Sequence, residues 1–371
     1  PYSFLHITKS EIDLPATIDI HSKEVYEKAK ENLDAFISRP VLFSESKPCY
    51  YIYTLVMNGK SQTGLVCCSS VYDYEQGLIK KHEHTRPEKE LDRINHMRTT
   101  GAQTGNVFIA YRDVNEINKI VENWKKSKSP VYDFITEDNI QHTIWVVSDE
   151  KIIDSLTELF KTEVPCTYIA DGHHRAASAA KVKYQLSDSE EAGYFLTTLF
   201  PASQLHILDY NRVVIDLNGL TKDELLDKIN RNFSVEKVNK AYAPEALHNF
   251  GMYLEGQWYK LTALDGTFST DPIGVLDISI LQNNLLEPLL GIKDQRTDTR
   301  IDFIGGIRGL AELEKKVDSK EMAIAFSIFP VTIEQLFDIA DSGNVMPPKS
   351  TWFEPKLRDG LLTHILTPEV R

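Results

Sequence analysis

The segment Cys166-Thr-Tyr-Ile-Ala-Asp-Gly-His-His-Arg-Ala-Ala-Ser-Ala-Ala180 constrains this chain more than any other. A short β-prone run, Thr167 to Ala170, meets Asp171 and Gly172, and small helix-forming residues follow. That order predicts a strand, a tight turn and a helix N-terminus. Such a terminus carries unpaired N–H groups and a partial positive charge, which suits an anion. The turn also concentrates a carboxylate, two imidazoles (His173 and His174) and the Arg175 guanidinium. Ala176, Ala177, Ala179 and Ala180 would let the helix lie close against its strand. A plainer reading has Asp171 capping the helix and pairing with Arg175 four residues on. The density of polar chemistry on one turn favours a ligand site.

Composition narrows the class of protein. A chain of 371 residues is long for a single core, so two or three subdomains are expected. Its net charge of −13 argues against a general nucleic-acid or anionic-membrane surface. A polyanion must therefore be gripped by local basic residues. Cys49, Cys67, Cys68 and Cys166 show no CxxC spacing, so neither a zinc site nor a disulfide framework is indicated. With no membrane-spanning apolar run and no signal peptide in view, a cytoplasmic protein is expected.

Two more constellations carry basic side chains. Lys80, Lys81, Arg86, Lys89, Arg93 and Arg98 exceed Glu83, Glu88, Glu90 and Asp92 over residues 80–98, against the acidic balance of the whole. Thr85 with Glu88 forms a capping-box pattern and Pro87 suits a first turn, so a helix over 87–98 is predicted, with Leu91 and Ile94 facing the core. Arg86, Lys89 and Arg93 then share one face. The alternative is a solvated charged helix. Near the C-terminus, Met346-Pro-Pro-Lys-Ser-Thr-Trp-Phe-Glu-Pro-Lys356 is stiffened by three prolines. It holds Lys349, Ser350, Thr351 and Lys356, whose ammonium and hydroxyl groups suit phosphate oxygens. Alternatively it is a surface turn anchored by Trp352 and Phe353. Asp302-Phe-Ile-Gly-Gly-Ile-Arg308 reads as another anion turn or as tight packing.

Elsewhere a hairpin is expected around Asn58-Gly59. Strands are expected at 143–147, 194–199, 206–215, 253–262 and 322–328, and helices at 114–127, 221–232, within 274–290, 307–317 and 331–341. The mixture predicts an α+β (mixed α/β) fold. No GxGxxG follows a first strand and no Walker loop is present, so a doubly wound nucleotide fold is not expected.

On Phe4 to Pro15, Lys80 to Arg93, Tyr168 to Arg175, Asn211-Arg212, Arg300 to Gly306 and Met346 to Lys356, the chain resembles a family first described as a conserved domain of unknown function, some of whose members are pyrophosphate-dependent free-serine kinases. These are distant relatives of the ADP-dependent serine kinase in the ParB/sulfiredoxin-like superfamily. The resemblance implies a ParB/sulfiredoxin-like catalytic core with an additional mixed-sheet subdomain. The expected division is 1–200 for the catalytic region with insertions, 201–300 for an α+β subdomain, and 301–371 for a segment returning to the active site. It implies a kinase moving a phosphoryl group from pyrophosphate to the hydroxyl of free L-serine. The alternatives are ADP or ATP as donor or, further off, a metal-dependent phosphohydrolase.

By position, Asp171, Gly172, His173, His174 and Arg175 would hold the donor, with Lys81, Arg86, Lys89, Arg93, Lys349, Ser350, Thr351 and Lys356 adding phosphate contacts. Glu83 would be the general base, with Glu88 and Asp92 as alternatives. Mg²⁺ is implied as cofactor, with Asp171 its carboxylate. Small-molecule substrates are implied, with no nucleic acid, membrane or protein partner. Sulfiredoxins need a cysteine where His173 stands, and ParB proteins carry a basic DNA-binding region that is not evident here. Family members commonly extend upstream of Pro1, so part of the site is expected there.

Overall fold

A computed structural model describes residues 2–367, and it is a mixed α/β protein. The chain forms two compact units, Pro1–Leu205 with Pro355–Arg371, and His206–Glu354. Residues 301–354 thus lie with 206–300, and only the stretch from Pro355 rejoins the first unit. No described helix is long and apolar enough to cross a membrane.

The first unit is built on an eight-stranded mixed sheet. Its order is Ile79–Lys80, Thr167–Asp171, Val107–Tyr111, Tyr194–Pro201, Lys60–Ser70, Tyr50–Met57, Gln141–Val147 and Tyr132–Ile135. The predicted hairpin joins Tyr50–Met57 to Lys60–Ser70, and Asn58 and Gly59 both take positive φ, as its two-residue turn requires. The helix Asn115–Ser127 buries Ile117, Val121 and Trp124, spaced four and three apart, as an amphipathic stripe must. These side chains join Ile52, Ile109, Trp145 and Leu156 in the main core.

The strand–turn–helix read from Cys166–Ala180 is present, as Thr167–Asp171 and His173–Gln185. Ala176 and Ala179 are buried against the sheet, where any larger side chain would push the helix away. The helix Pro87–Thr100 starts with Pro87 in its first turn and stops at left-handed Gly101. Two expectations fail within it. The cap residue is Arg86, with no side-chain cap bond, so the Thr85/Glu88 box does not form. Leu91 is 59% exposed. The inward face runs instead through Glu90, Ile94 and Met97, and the Glu90 carboxylate is bonded by Lys181 of the neighbouring helix. Ser178 Oγ donates to Glu90 O at 3.1 Å, tying the two helices together. A buried carboxylate with a lysine partner has displaced the leucine that a hydrophobic pattern would place there.

In the second unit a six-stranded antiparallel sheet runs Phe233–Val238, Gln257–Ala263, Asn249–Leu254, Ile324–Ile328, Tyr210–Val214, Ile301–Gly305. Val213, Tyr253, Trp258, Ile304, Leu313 and Ala325 form a core under the helix Leu310–Asp318. The single strand expected over 206–215 is broken at Asp209, whose carbonyl accepts from Gly306 N–H at 2.9 Å and whose carboxylate accepts from Asn211 at 2.6 Å. Ile207–Leu208 pairs with Trp352–Phe353 instead. The helix expected within 274–290 is a short α-turn, Asp277–Leu281, continuing into a π-turn, Gln282–Leu286. At Gly305 and Gly306 an added Cβ would overlap the Trp352 ring and the Asp209 carboxylate, so this pair serves close packing.

Candidate active site

Gly172 is the pivot of the site. Its φ of 98° and ψ of 25° place it in left-handed space, and its Cα side faces the Val107 backbone. That geometry turns the chain sharply from Asp171 at the strand end to His173 at the helix start. Asp171 is therefore not a helix cap. Its Oδ1 accepts the Gly172 N–H at 2.9 Å and its Oδ2 accepts from Lys356 Nζ at 3.1 Å. Arg175 does not pair with Asp171; it donates to the carbonyl of Asn106 at 2.7 Å.

The histidine-rich segment before helix Pro87–Thr100 packs onto this turn. The His82 N–H donates to His173 Nε2 at 3.4 Å, and the Arg86 N–H to His174 Nε2 at 3.0 Å. Glu83 Oε2 lies 3.7 Å from His173 Nδ1. The His82 ring stands edge-on to His173, with centroids 4.5 Å apart. Burial drives the His82 imidazole down to about 4 and the His173 imidazole well below its ordinary value, so both are neutral near pH 7. His174 is lowered too, first by burial and then by the charge of Lys89. Glu90 stands the other way. Burial pushes it up, but hydrogen bonds from Lys181 and Thr85 outweigh that and hold it ionised below its usual range.

A cleft of about 530 Å³ opens here, lined by Glu83, Glu88, Lys89, Asp92, Arg93, Asp171, Gly172, His173, His174 and Arg175, with His21. A smaller pocket of about 30 Å³ shares Arg93 and Arg175 with it and adds Asp359. Asp359 is exposed on one side. Burial of its carboxyl pushes it up, opposed by the Arg175 and Arg93 charges. Asp92 is already engaged, accepting from His21 Nδ1 at 3.0 Å and from Tyr26 Oη at 2.9 Å.

Of the residues singled out from sequence, the structure brings Glu83, Lys89, Arg93, Asp171, Gly172, His173, His174 and Arg175 onto one cleft, and Lys356 onto Asp171. Arg86 contributes its backbone N–H. Lys81 holds its ammonium over the Tyr74 ring, 4.6 Å from the centroid. Lys349, Ser350 and Thr351 belong to the second unit. There Lys349 takes a φ of 57°, its carbonyl accepts from the buried Arg212 at 3.1 Å, and Ser350 donates to Pro347 O. His21, His82 and Asp359 were not singled out. His21 and Asp359 are far from the cleft in sequence, and His82 stands inside the charged run of residues 80–98.

The cleft is of mixed charge, not simply basic. Glu83, Glu88, Asp92 and Asp171 face Lys89, Arg93 and Arg175. No group of three or more His, Cys, Asp or Glu among the described residues is arranged to hold a metal ion by itself. Asp171 presents a single carboxylate here, with one oxygen bonded to the Gly172 N–H and the other to Lys356.

The family described as "Protein of unknown function (DUF1015)" matches residues 1–279. No curated protein matches the sequence. Among solved structures, a conserved hypothetical protein from Pyrococcus furiosus is similar at a TM-score of 0.37 and 14% identity, over 79% of this chain and 93% of that one. A variant of a free serine kinase in complex with AMP gives 0.39 and 12%, over 84% and 90%. A C-terminally truncated SbnI from Staphylococcus aureus gives 0.34 and 9%, over 79% and 84%.

Proposed function

The chain belongs to the DUF1015 family, and from that premise we propose that it is a phosphotransferase moving a phosphoryl group from inorganic pyrophosphate to the hydroxyl of free L-serine, giving O-phospho-L-serine and phosphate. The observation that carries this reading is the lining of the cleft. Among the described residues it consists of charged groups, imidazoles and one glycine, with no aliphatic or carbocyclic aromatic side chain. An adenine ring needs an apolar slot, which these walls do not offer; the apolar side chains nearby, Met97, Val107 and Phe195, line the adjoining pocket with Arg93, Arg175 and Asp359. A donor that is all phosphate suits such walls.

Phosphoryl transfer relies on positioning and on neutralising charge. Lys89, Arg93 and Arg175 would meet the phosphate oxygens, helped by the N–H groups at the start of the helix His173–Gln185. Asp171 would be the carboxylate that helps hold Mg²⁺, whose charge would help to neutralise the phosphate donor. Lys356 holds the Asp171 carboxylate in place and adds a positive charge beside it. Glu83 accepts the serine hydroxyl proton as that oxygen attacks the terminal phosphorus, and phosphate leaves. The Arg93, Arg175 and Asp359 pocket offers both signs of charge, as the carboxylate and ammonium of an amino acid require.

Phosphorus NMR of the purified protein with serine, magnesium and one donor at a time tests this. Phosphoserine is expected with pyrophosphate and not with ADP or ATP. Phosphoserine formed only from a nucleotide would transfer the reading to a nucleotide-dependent kinase. Phosphate released without serine would make the protein a hydrolase.

A further inference from the structure

The two cleft imidazoles are held in the same way from the same side. Each accepts a backbone N–H at Nε2, His174 from Arg86 at 3.0 Å and His173 from His82 at 3.4 Å. A ring nitrogen that accepts a hydrogen bond carries no proton, so the proton of the neutral ring must sit on the other nitrogen. We infer that the backbone of residues 82–86 fixes His173 and His174 as Nδ1–H tautomers, so that His173 positions the Glu83 carboxylate and His174 turns a neutral N–H donor onto a phosphoryl oxygen.

Three observations support this beyond the two bonds. Glu83 Oε2 lies 3.7 Å from His173 Nδ1, so a protonated Nδ1 faces a carboxylate. The His82 ring, fully buried, stands edge-on to His173 with centroids 4.5 Å apart and packs against it, holding the ring where its Nε2 meets the His82 N–H. His174 is half-buried and lines the cleft beside Lys89 and Arg93, with its Nε2 already taken by the Arg86 N–H. The device depends on main chain alone. A backbone N–H cannot titrate or change sign, so the segment enforces one tautomer whatever side chain Arg86 carries.

A neutral donor has a specific value in a phosphoryl site. It strengthens as charge builds on the oxygen, yet adds no fixed charge that would grip the product phosphate. The donor role of His174 rests on the phosphoryl-transfer reading; the tautomer assignment does not.

The full-length protein, grown with ¹⁵N-histidine, gives the test by long-range proton–nitrogen correlation at pH 7.5. His173→Asn and His174→Asn assign the two rings. Unprotonated Nε2 and protonated Nδ1 are expected at both, and an Nε2–H or doubly protonated ring at either position would overturn the assignment. Adding magnesium pyrophosphate should move the His174 Nδ1–H resonance, and an unmoved resonance with pyrophosphate bound overturns the donor role. Variants give a second readout. The Asn amide nitrogen mimics Nδ1–H and the Gln amide mimics Nε2–H, so H174Q should lose about tenfold in pyrophosphate affinity and H174N clearly less. Equal losses would count against the donor role. A protein that binds pyrophosphate as expected but forms no phosphoserine would defeat the proposed function and leave the tautomers standing.

Discussion

At the scale of single residues, the site is held by few direct bonds, and each has a distinct consequence. Lys356 and Asp171 are both close to half-exposed, so their 3.1 Å pair adds little to folding, within about 1 kcal/mol. Lys356→Met should therefore leave the melting temperature nearly unchanged. It should lower kcat/KM for pyrophosphate by roughly tenfold or more, since a hydrogen bond to a charged group is lost beside the donor. A large loss of stability with unchanged kinetics would make the pair purely structural. Glu83→Gln keeps the shape of the side chain and removes the base, so kcat should fall by about 10²-fold or more with KM little altered. Unchanged turnover would transfer the role to Glu88, since Asp92 is already committed to His21 and Tyr26. The sequence made Asp171 through Arg175 legible because five chemically loaded residues share one turn. It could not announce His82, which matters through its backbone N–H and the bulk of its ring, or Asp359, which is brought close only by tertiary folding. Leu91 misled because the inner face at its helical spacing is taken by Glu90 with its lysine partner.

At the scale of elements, one strand, one turn and one helix set the geometry of the cleft. Strands and amphipathic helices were readable where their periodicity was unbroken, as in Asn115–Ser127 and the hairpin at Asn58-Gly59. They were misread where a backbone group was claimed from outside, as at Asp209, or where a helix widened into a π-turn, as at Gln282–Leu286. The turn itself gives a sharp test. Gly172 sits at φ 98°, and an alanine there meets a strain of roughly 1–2 kcal/mol. Its Cβ would stand 3.4 Å from the Val107 backbone, which is in ordinary contact. Gly172→Ala should thus fold with a modestly lower melting temperature. Activity should fall much further, because the strain is relieved by rotating the helix start away from the cleft. Ala176→Leu acts on the same helix from below. Ala176 has no exposed surface, so the added atoms cost about 1–3 kcal/mol by overpacking. Urea unfolding together with pyrophosphate binding separates the two variants. A G172A protein with full affinity would show that the turn is not what sets the donor groups.

At the scale of the whole molecule, the chain leaves its first unit at Leu205 and re-enters it at Pro355, so the last described residues complete a unit begun at the N-terminus. The second unit has a core of its own and a distinctive acid–base weakness. Asp277 is 4% exposed, one oxygen accepts the His248 N–H at 2.8 Å, and the other has no hydrogen-bond partner. Burial raises its carboxyl from 3.8 to about 7, against the smaller lowering effect of the His248 bond. The sign of the effect on stability follows. Below about pH 4 both folded and unfolded chains carry the proton, and the group contributes nothing. Between about pH 4 and 7 the unfolded chain has released the proton and the folded one retains it, so stability falls as pH rises. Above about pH 7 the full penalty persists. Asp277→Asn keeps an acceptor for the His248 N–H and removes the ionisation, whatever its own packing costs at a fixed pH. Its stability relative to wild type should therefore improve from pH 5 to pH 8 by on the order of 2 kcal/mol, because a proton held by only one of the two states changes stability by about 1.4 kcal/mol for each step of one in pH. Denaturant unfolding of both proteins at the two pH values reads the difference directly. A pH-independent difference would mean that Asp277 ionises at its ordinary value and that solvent reaches its second oxygen. Because Asp277 belongs to the second unit and Glu83, His173 and His174 to the first, the same pair of proteins also separates stability from chemistry. If D277N keeps the wild-type pH–rate profile while its stability profile changes, the ionisations that limit turnover lie outside this carboxyl.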